Sequence, residues 1–153
     1  MGTKRVGWAR IRSLINENTN NLRHKTETVE TISKDVTLLG SDSGKTYLVN
    51  QDGIDVTLPA GVQGANFKFI MAEDFSNAAC TVNAPAGEFL AGSATSVIAT
   101  AAEGLHANGS SHLVCSFSAT GKAGDWISVV SNGTLWLVQG ACSGAAAIVF
   151  SDT

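Results

Sequence analysis

Residues 126–138, Trp126-Ile-Ser-Val-Val-Ser-Asn132-Gly133-Thr-Leu-Trp136-Leu-Val138, alternate side chains with a period of two on both sides of an Asn-Gly pair. That pattern predicts a β-hairpin, because strand side chains point to opposite faces in turn and Asn-Gly supplies the positive φ angles of a two-residue turn. Such a turn pairs Ser131 with Thr134 and Val129 with Trp136. Ile127, Val129, Trp136 and Val138 then share one face, while Trp126, Val130, Leu135 and Leu137 share the other. Both faces are apolar, although one apolar face suffices to seat a hairpin on a core. The second face therefore calls for a cover, either the chain's own arm or another subunit.

Working outward, the same period recurs. Ile54, Val56 and Leu58 alternate with Asp55 and Thr57; Phe67, Phe69 and Met71 alternate with Asn66 and Lys68; Leu113, Cys115 and Phe117 alternate with His112, Ser116 and Ser118. Asp52-Gly53 reads as a second hairpin turn. With 16 glycines, two prolines and one tyrosine in 153 residues, the composition favours short strands and tight turns. The expectation is a mainly β, antiparallel sandwich over residues 35–153, jelly-roll-like, with about 8–10 strands.

Before it, residues 1–34 read differently. Trp8, Ile11, Ile15 and Leu22 fall at helical spacing, with Arg5, Arg10 and Arg12 off that stripe. An amphipathic α-helical arm follows, tied to the body by a connector. Continued at alternating steps of three and four, the stripe takes in Asn18, Lys25, Val29 and Ile32 as a coiled-coil seam with polar layers. The Asn-rich stretch from Asn16 to Asn21 offers the other outcome, a helix that ends near Leu22.

Charge divides the chain the same way. Residues 1–34 hold seven basic against three acidic residues, +4, and the remainder three against ten, −7. A basic arm on an acidic body seeks a negative surface: a protein shell, a nucleic acid or a neighbouring copy.

Motifs of catalysis and ligation fail on spacing. Gly40-Ser-Asp-Ser-Gly44-Lys45-Thr46 has three residues between its glycines where a phosphate loop has four, and a strand pattern follows it. His24, His106 and His112 lack ligand spacing, and His112-x-x-Cys115 has no second pair. The carboxylate pairs Asp52/Asp55 and Glu73/Asp74 sit in turn-like settings. Asn108-Gly-Ser110 and Asn132-Gly-Thr134 match the glycosylation triplet but read as turns. Three cysteines, Cys80, Cys115 and Cys142, are too few and too scattered for a disulfide framework; they read as buried free thiols of a protein assembled in a reducing compartment. No enzyme, cofactor or metal is expected, and no stretch is apolar enough for a membrane span.

Four segments carry a resemblance: Gly2-Thr-Lys-Arg-Val-Gly-Trp-Ala-Arg10, Asp42-Ser-Gly-Lys-Thr-Tyr47, Val56-Thr-Leu-Pro-Ala60 and Gly124-Asp-Trp-Ile-Ser-Val-Val-Ser-Asn-Gly-Thr-Leu-Trp136. Together they resemble small virion proteins of marine tailed bacteriophages, of the capsid decoration, cement or head-fibre type. The resemblance implies a homotrimer made in the host bacterial cytoplasm and placed on the outer capsid surface. Its partner there is the major capsid protein, without direct nucleic-acid or membrane contact. The interface residues expected from the arm and hairpin are Arg5, Trp8, Arg10, Ile11, Arg12, Ile15, Leu22, Trp126, Leu135 and Leu137. The last segment also resembles β-modules of phage tail fibres. The second reading is therefore a tail-fibre or head-fibre host-recognition module whose loops near Asn108 or Gly121 bind a bacterial glycan.

Overall fold

The computed structural model describes residues 7–23, 28–97 and 102–152, with side chains for 7–16, 28–97 and 106–152. The mainly β body begins at β1 (Val29–Ile32), inside the segment read as connector, and the chain then crosses repeatedly between two sheets. β1, β3 (Lys45–Val49) and β5 (Asn66–Met71) lie side by side in one sheet, all parallel. The strands between them, β2 (Val36–Thr37), β4 (Asp55–Thr57) and β6 (Cys80–Asn83), lie side by side in the other, also parallel. Residues 29–83 thus wind as three coils of a two-sided solenoid.

The rest of the chain closes this half by antiparallel addition. β7 (Phe89–Val97) and β8 (Ala102–Asn108) form a pair at the far edge of the first sheet, and β9 (Val114–Phe117) adds to β6 in the second. β10 (Trp126–Ser131) pairs with both β5 and β11 (Leu135–Cys142), and β11 runs parallel to β7. β12 (Ile148–Ser151) finishes the second sheet beside β9. The seven-stranded order is β1-β3-β5-β10-β11-β7-β8 and the five-stranded order β12-β9-β6-β4-β2.

Two mixed sheets therefore replace the expected antiparallel jelly-roll-like arrangement, with twelve strands among the described residues. Asp52-Gly53 explains part of the difference. Gly53 does adopt a positive φ of 71°, but it turns the chain from one sheet into the other instead of folding a hairpin. The Asp52 carboxylate accepts hydrogen bonds from the backbone N–H groups of Asn77 (3.1 Å) and Ala78 (3.4 Å), bracing the corresponding corner of the next coil. Asp55 works along the same axis: its N–H donates to Asp35 at 2.9 Å, and its carboxylate accepts from the Thr81 hydroxyl. Asp52 and Asp55, the first of the two carboxylate pairs, are thus coil-to-coil braces.

Inward rows run continuously across strands, which puts the core between the sheets. In one sheet Tyr47, Phe69, Ile127 and Ala94 occupy one row; in the other Val36, Val56, Val82, Cys115 and Phe150 do. Side chains from both sheets belong to a single core cluster. Each fully buried Phe or Val contributes about 2–3 kcal/mol of transfer free energy. Tyr47 stacks on Phe69 at 5.6 Å between centroids, and Phe67 lies 5.8 Å from Trp136.

Candidate interaction surfaces: the helical arm and the outer sheet face

The arm forms the helix α1 (Trp8–Arg23), whose first turn is closed by the Gly7 carbonyl accepting from Arg10 and Ile11. The helix passes through the Asn-rich stretch and stops at Arg23, so the coiled-coil continuation fails: Val29 and Ile32 lie in β1. Every side chain from Trp8 to Asn16 is exposed, the apolar stripe included, with Trp8 at 67%, Ile11 at 37% and Ile15 at 55%. Leu14, absent from the expected set, extends the stripe at 57%. Its step from Ile11 is three residues, so it lies within the same arc. The Arg12 guanidinium sits 5.8 Å from the Trp8 ring centre, one helical turn away. Arg10 and Arg12 flank the stripe on opposite sides, each at roughly 100° around the helix. Arg5 lies outside the described residues, and for Leu22 the backbone alone is described.

The hairpin is formed by β10 and β11, but in a different register. Ser131 pairs with Trp136 and Val129 with Val138, and the Asn132 N–H donates to the Leu135 carbonyl at 3.1 Å, so that Gly133 and Thr134 form the tip of the turn. The Asn132 side chain favours this turn: its carbonyl oxygen accepts from the N–H groups of Thr134 (2.9 Å) and Leu135 (2.8 Å), which closes the tip from Asn132 to Leu135. A shift of two residues preserves side-chain facing. Ile127, Val129, Trp136 and Val138 are accordingly buried, and Val130 and Leu137 remain 40% and 45% exposed on the other face.

On that outer face, cross-strand rows place Val130 beside Leu137 and Ala91, and Leu135 beside Phe89. A second row brings Leu48, Ile70 and Trp126 together, all half-buried. Between these rows runs a polar one with Lys68, Ser128, Gln139 and Ser93. The Lys68 ammonium lies 5.2 Å from the Trp126 ring centre, covering part of that tryptophan. Of the expected hairpin residues, Leu137 is thus the most open, while Trp126 and Leu135 are partly shielded. Phe89 and Lys68 escape sequence reading because their strands are distant in the chain. The outer face of the five-stranded sheet mixes polar and apolar side chains, with Thr37, Thr57, Asn83 and Val114 in one row and Thr81, Ser116 and Val149 in the next.

Other groups with chemical potential are engaged structurally. Lys45 of the phosphate-loop-like segment bridges Glu30 and Asp42, both at 2.7 Å, and leads into β3, not a helix. These bonds push the Lys45 ammonium up and hold Asp42 below its ordinary range. His112 Nδ1 accepts from the Asn108 N–H at 2.9 Å. Asp74 accepts from Lys122 (3.0 Å) and the Ala123 N–H (2.9 Å). Among the described residues no cluster of three or more His, Cys, Asp or Glu can hold a metal ion, and no helix is long and apolar enough to cross a membrane. No protein-family model, curated protein or solved structure matches this chain.

The three cysteines are free and buried in the core. Burial pushes the Cys80 thiol up to about 12 and raises Cys115 and Cys142 as well. None of the three is expected to react with an aromatic disulfide reagent at about pH 8 in the native protein, and all three should react once it is unfolded. A raised folded-state pKa gives stability that is present below the ordinary thiol value near 9 and lost above it. The melting temperature, followed by circular dichroism, should therefore fall between about pH 9 and 12. A fast-reacting thiol in the native state would contradict the core placement.

Proposed function

We propose that the protein is a non-catalytic decoration or cement protein of a tailed-bacteriophage capsid, acting as a homotrimer on the outer surface of the major capsid shell. The observation that carries this reading is the exposed, basic, amphipathic helix. A helix with Trp8, Ile11 and Leu14 in water gains stability only by burying that stripe against something. Alongside it stands the resemblance of four segments to virion proteins of this kind. In this reading Arg10 and Arg12, with Arg5, face acidic capsid surface, and the two-layered β body projects outward. Many weak sites repeated over a shell add to strong reinforcement against internal pressure.

Deletion of residues 1–23 tests it. The shortened chain should keep the cooperative unfolding of the β body, yet its cosedimentation with shells of the cognate major capsid protein should weaken about a hundredfold. Undiminished binding would overturn the role of the arm. Binding of the shortened chain to bacterial glycans instead would favour host recognition.

A further inference from the structure

The two sides of the sandwich end differently. On one side the edge strands β8 and β12 come alongside each other and close it. On the other side β1 and β2 bound a cleft of about 190 Å³, whose lining includes Ile32, Val36, Leu38 and Tyr47, with the exposed Glu30 and Lys34 at its rim.

β1 is also an unfinished edge. The Thr28 and Ile32 carbonyls accept from the N–H groups of Thr46 and Asn50, so the even-numbered residues of β1 direct their backbone toward β3. Val29 and Thr31 direct theirs outward, where these groups have no hydrogen-bond partner among the described residues. Neither proline nor lysine, the usual guards of an exposed edge, occurs in Val29–Ile32.

Parity and charge together point to a second copy of β1 as the occupant. In an antiparallel pair the outward backbone groups must meet, so odd-numbered residues oppose odd-numbered ones. An axis at Glu30 would set that carboxylate against its own copy, a like-charge pair. An axis at Ile32 instead sets Ile32 against Ile32, Thr31 against Ser33, and Glu30 against Lys34 on both sides of the axis. Those charges suit each other. Glu30 and Asp42 share the single ammonium of Lys45, two carboxylates to one cation, which leaves −1. Lys34 is exposed and makes no ion pair among the described residues.

We propose that two copies of the protein associate by antiparallel β1–β1 pairing across a two-fold axis at Ile32, which runs the seven-stranded sheet of one copy into that of the other and covers the cleft of both. The contact is isologous, so it closes on itself. Chains already grouped in threes are joined by it trimer to trimer. Neither the arm nor a capsid takes part, so the pairing stands or falls apart from the shell-binding role.

Disulfide trapping reads the register. Full-length Thr31→Cys and Ser33→Cys chains of different tag mass are mixed under mild oxidation; both positions are exposed, and the native cysteines are buried. Directly opposed residues hold their Cα atoms about 5.5 Å apart, within disulfide range, whereas residues offset by two stand about 7–8 Å apart. The mixed disulfide should therefore form at least about tenfold faster than either variant links to itself. No mixed disulfide, or self-linking of Thr31→Cys at the same rate, would overturn the pairing. In parallel, Thr31→Pro and Lys34→Glu are compared with wild type by sedimentation velocity. Each should weaken self-association about tenfold or more, the first by removing an outward N–H and the second by setting like charges opposite each other. The circular dichroism spectrum should not change, because the Thr31 N–H takes no part in the β1–β3 ladder. If Thr31→Pro loses its fold, Lys34→Glu decides. A folded variant at either position that associates like wild type would overturn the proposal.

Discussion

Gly92→Ala should remove about 3 kcal/mol or more of stability, lowering the melting temperature by roughly 10 °C. Gly92 lies in β7 directly opposite Val138 of the parallel strand β11, and its φ is 141°. A methyl group there would stand 1.9 Å from the Val138 carbonyl oxygen and 2.9 Å from its carbonyl carbon and amide nitrogen. These are backbone atoms of a ladder buried on its inner face, so relief requires parting β7 from β11 and with it the β8 edge. Gly124→Ala is the internal comparison. Its φ of 95° is also positive, but beyond its chain neighbours no atom of the described residues lies within 4 Å of the added carbon, so backbone strain of about 1 kcal/mol is the whole cost. Urea unfolding of the two variants should separate them clearly; equal stabilities would show that the β7–β11 register is not as described.

Trp136→Ala should cost about 3–5 kcal/mol, while Trp136→Phe should stay within about 1 kcal/mol of wild type. Trp136 is fully buried and packs its ring against Phe67. Truncation to Ala opens a cavity where the two sheets share their core. The indole Nε1–H, however, is buried with no hydrogen-bond partner among the described residues. Such an orphaned donor costs about 1–3 kcal/mol of lost hydration, which Phe does not incur. That relief offsets the volume lost on going from indole to phenyl. The contrast between the two substitutions, read by urea denaturation, separates packing from polarity. A Phe variant as unstable as the Ala variant would mean that shape alone governs the site.

The helix of the arm, the facing of the hairpin and the burial of Cys80 and Cys115 were all legible because they depend on local periodicity. Strand direction was not. Parallel and antiparallel strands share the period of two, so Phe67, Phe69 and Met71 read the same whether β5 meets β3 head-on or side by side. Asp52-Gly53 misled for a related reason: the dipeptide specifies a change of direction but not the sheet that receives the next strand. The hairpin register depended on the Asn132 side chain, whose two backbone hydrogen bonds favour a tip at Gly133 and Thr134 in place of Asn132 and Gly133. At the candidate surfaces, Trp126 and Leu137 could be read from their own hairpin. The neighbours that shield or enlarge the patch, Lys68 and Phe89, are supplied by β5 and β7, which only the tertiary fold brings alongside.

The winding of the first half also orders events on the ribosome. β3 can settle on β1, and β5 on β3, as each emerges, since every partner has already been synthesised. The other edge of β5 has no such luck, because its neighbour β10 arrives only after β6 to β9 have been made. During that interval the nascent chain presents an open strand edge carrying Phe67, Phe69 and Met71, the kind of edge that recruits strands from other chains. Crowded synthesis of many copies would therefore place its greatest hazard at β5, and the emergence of β10 and β11 would end it.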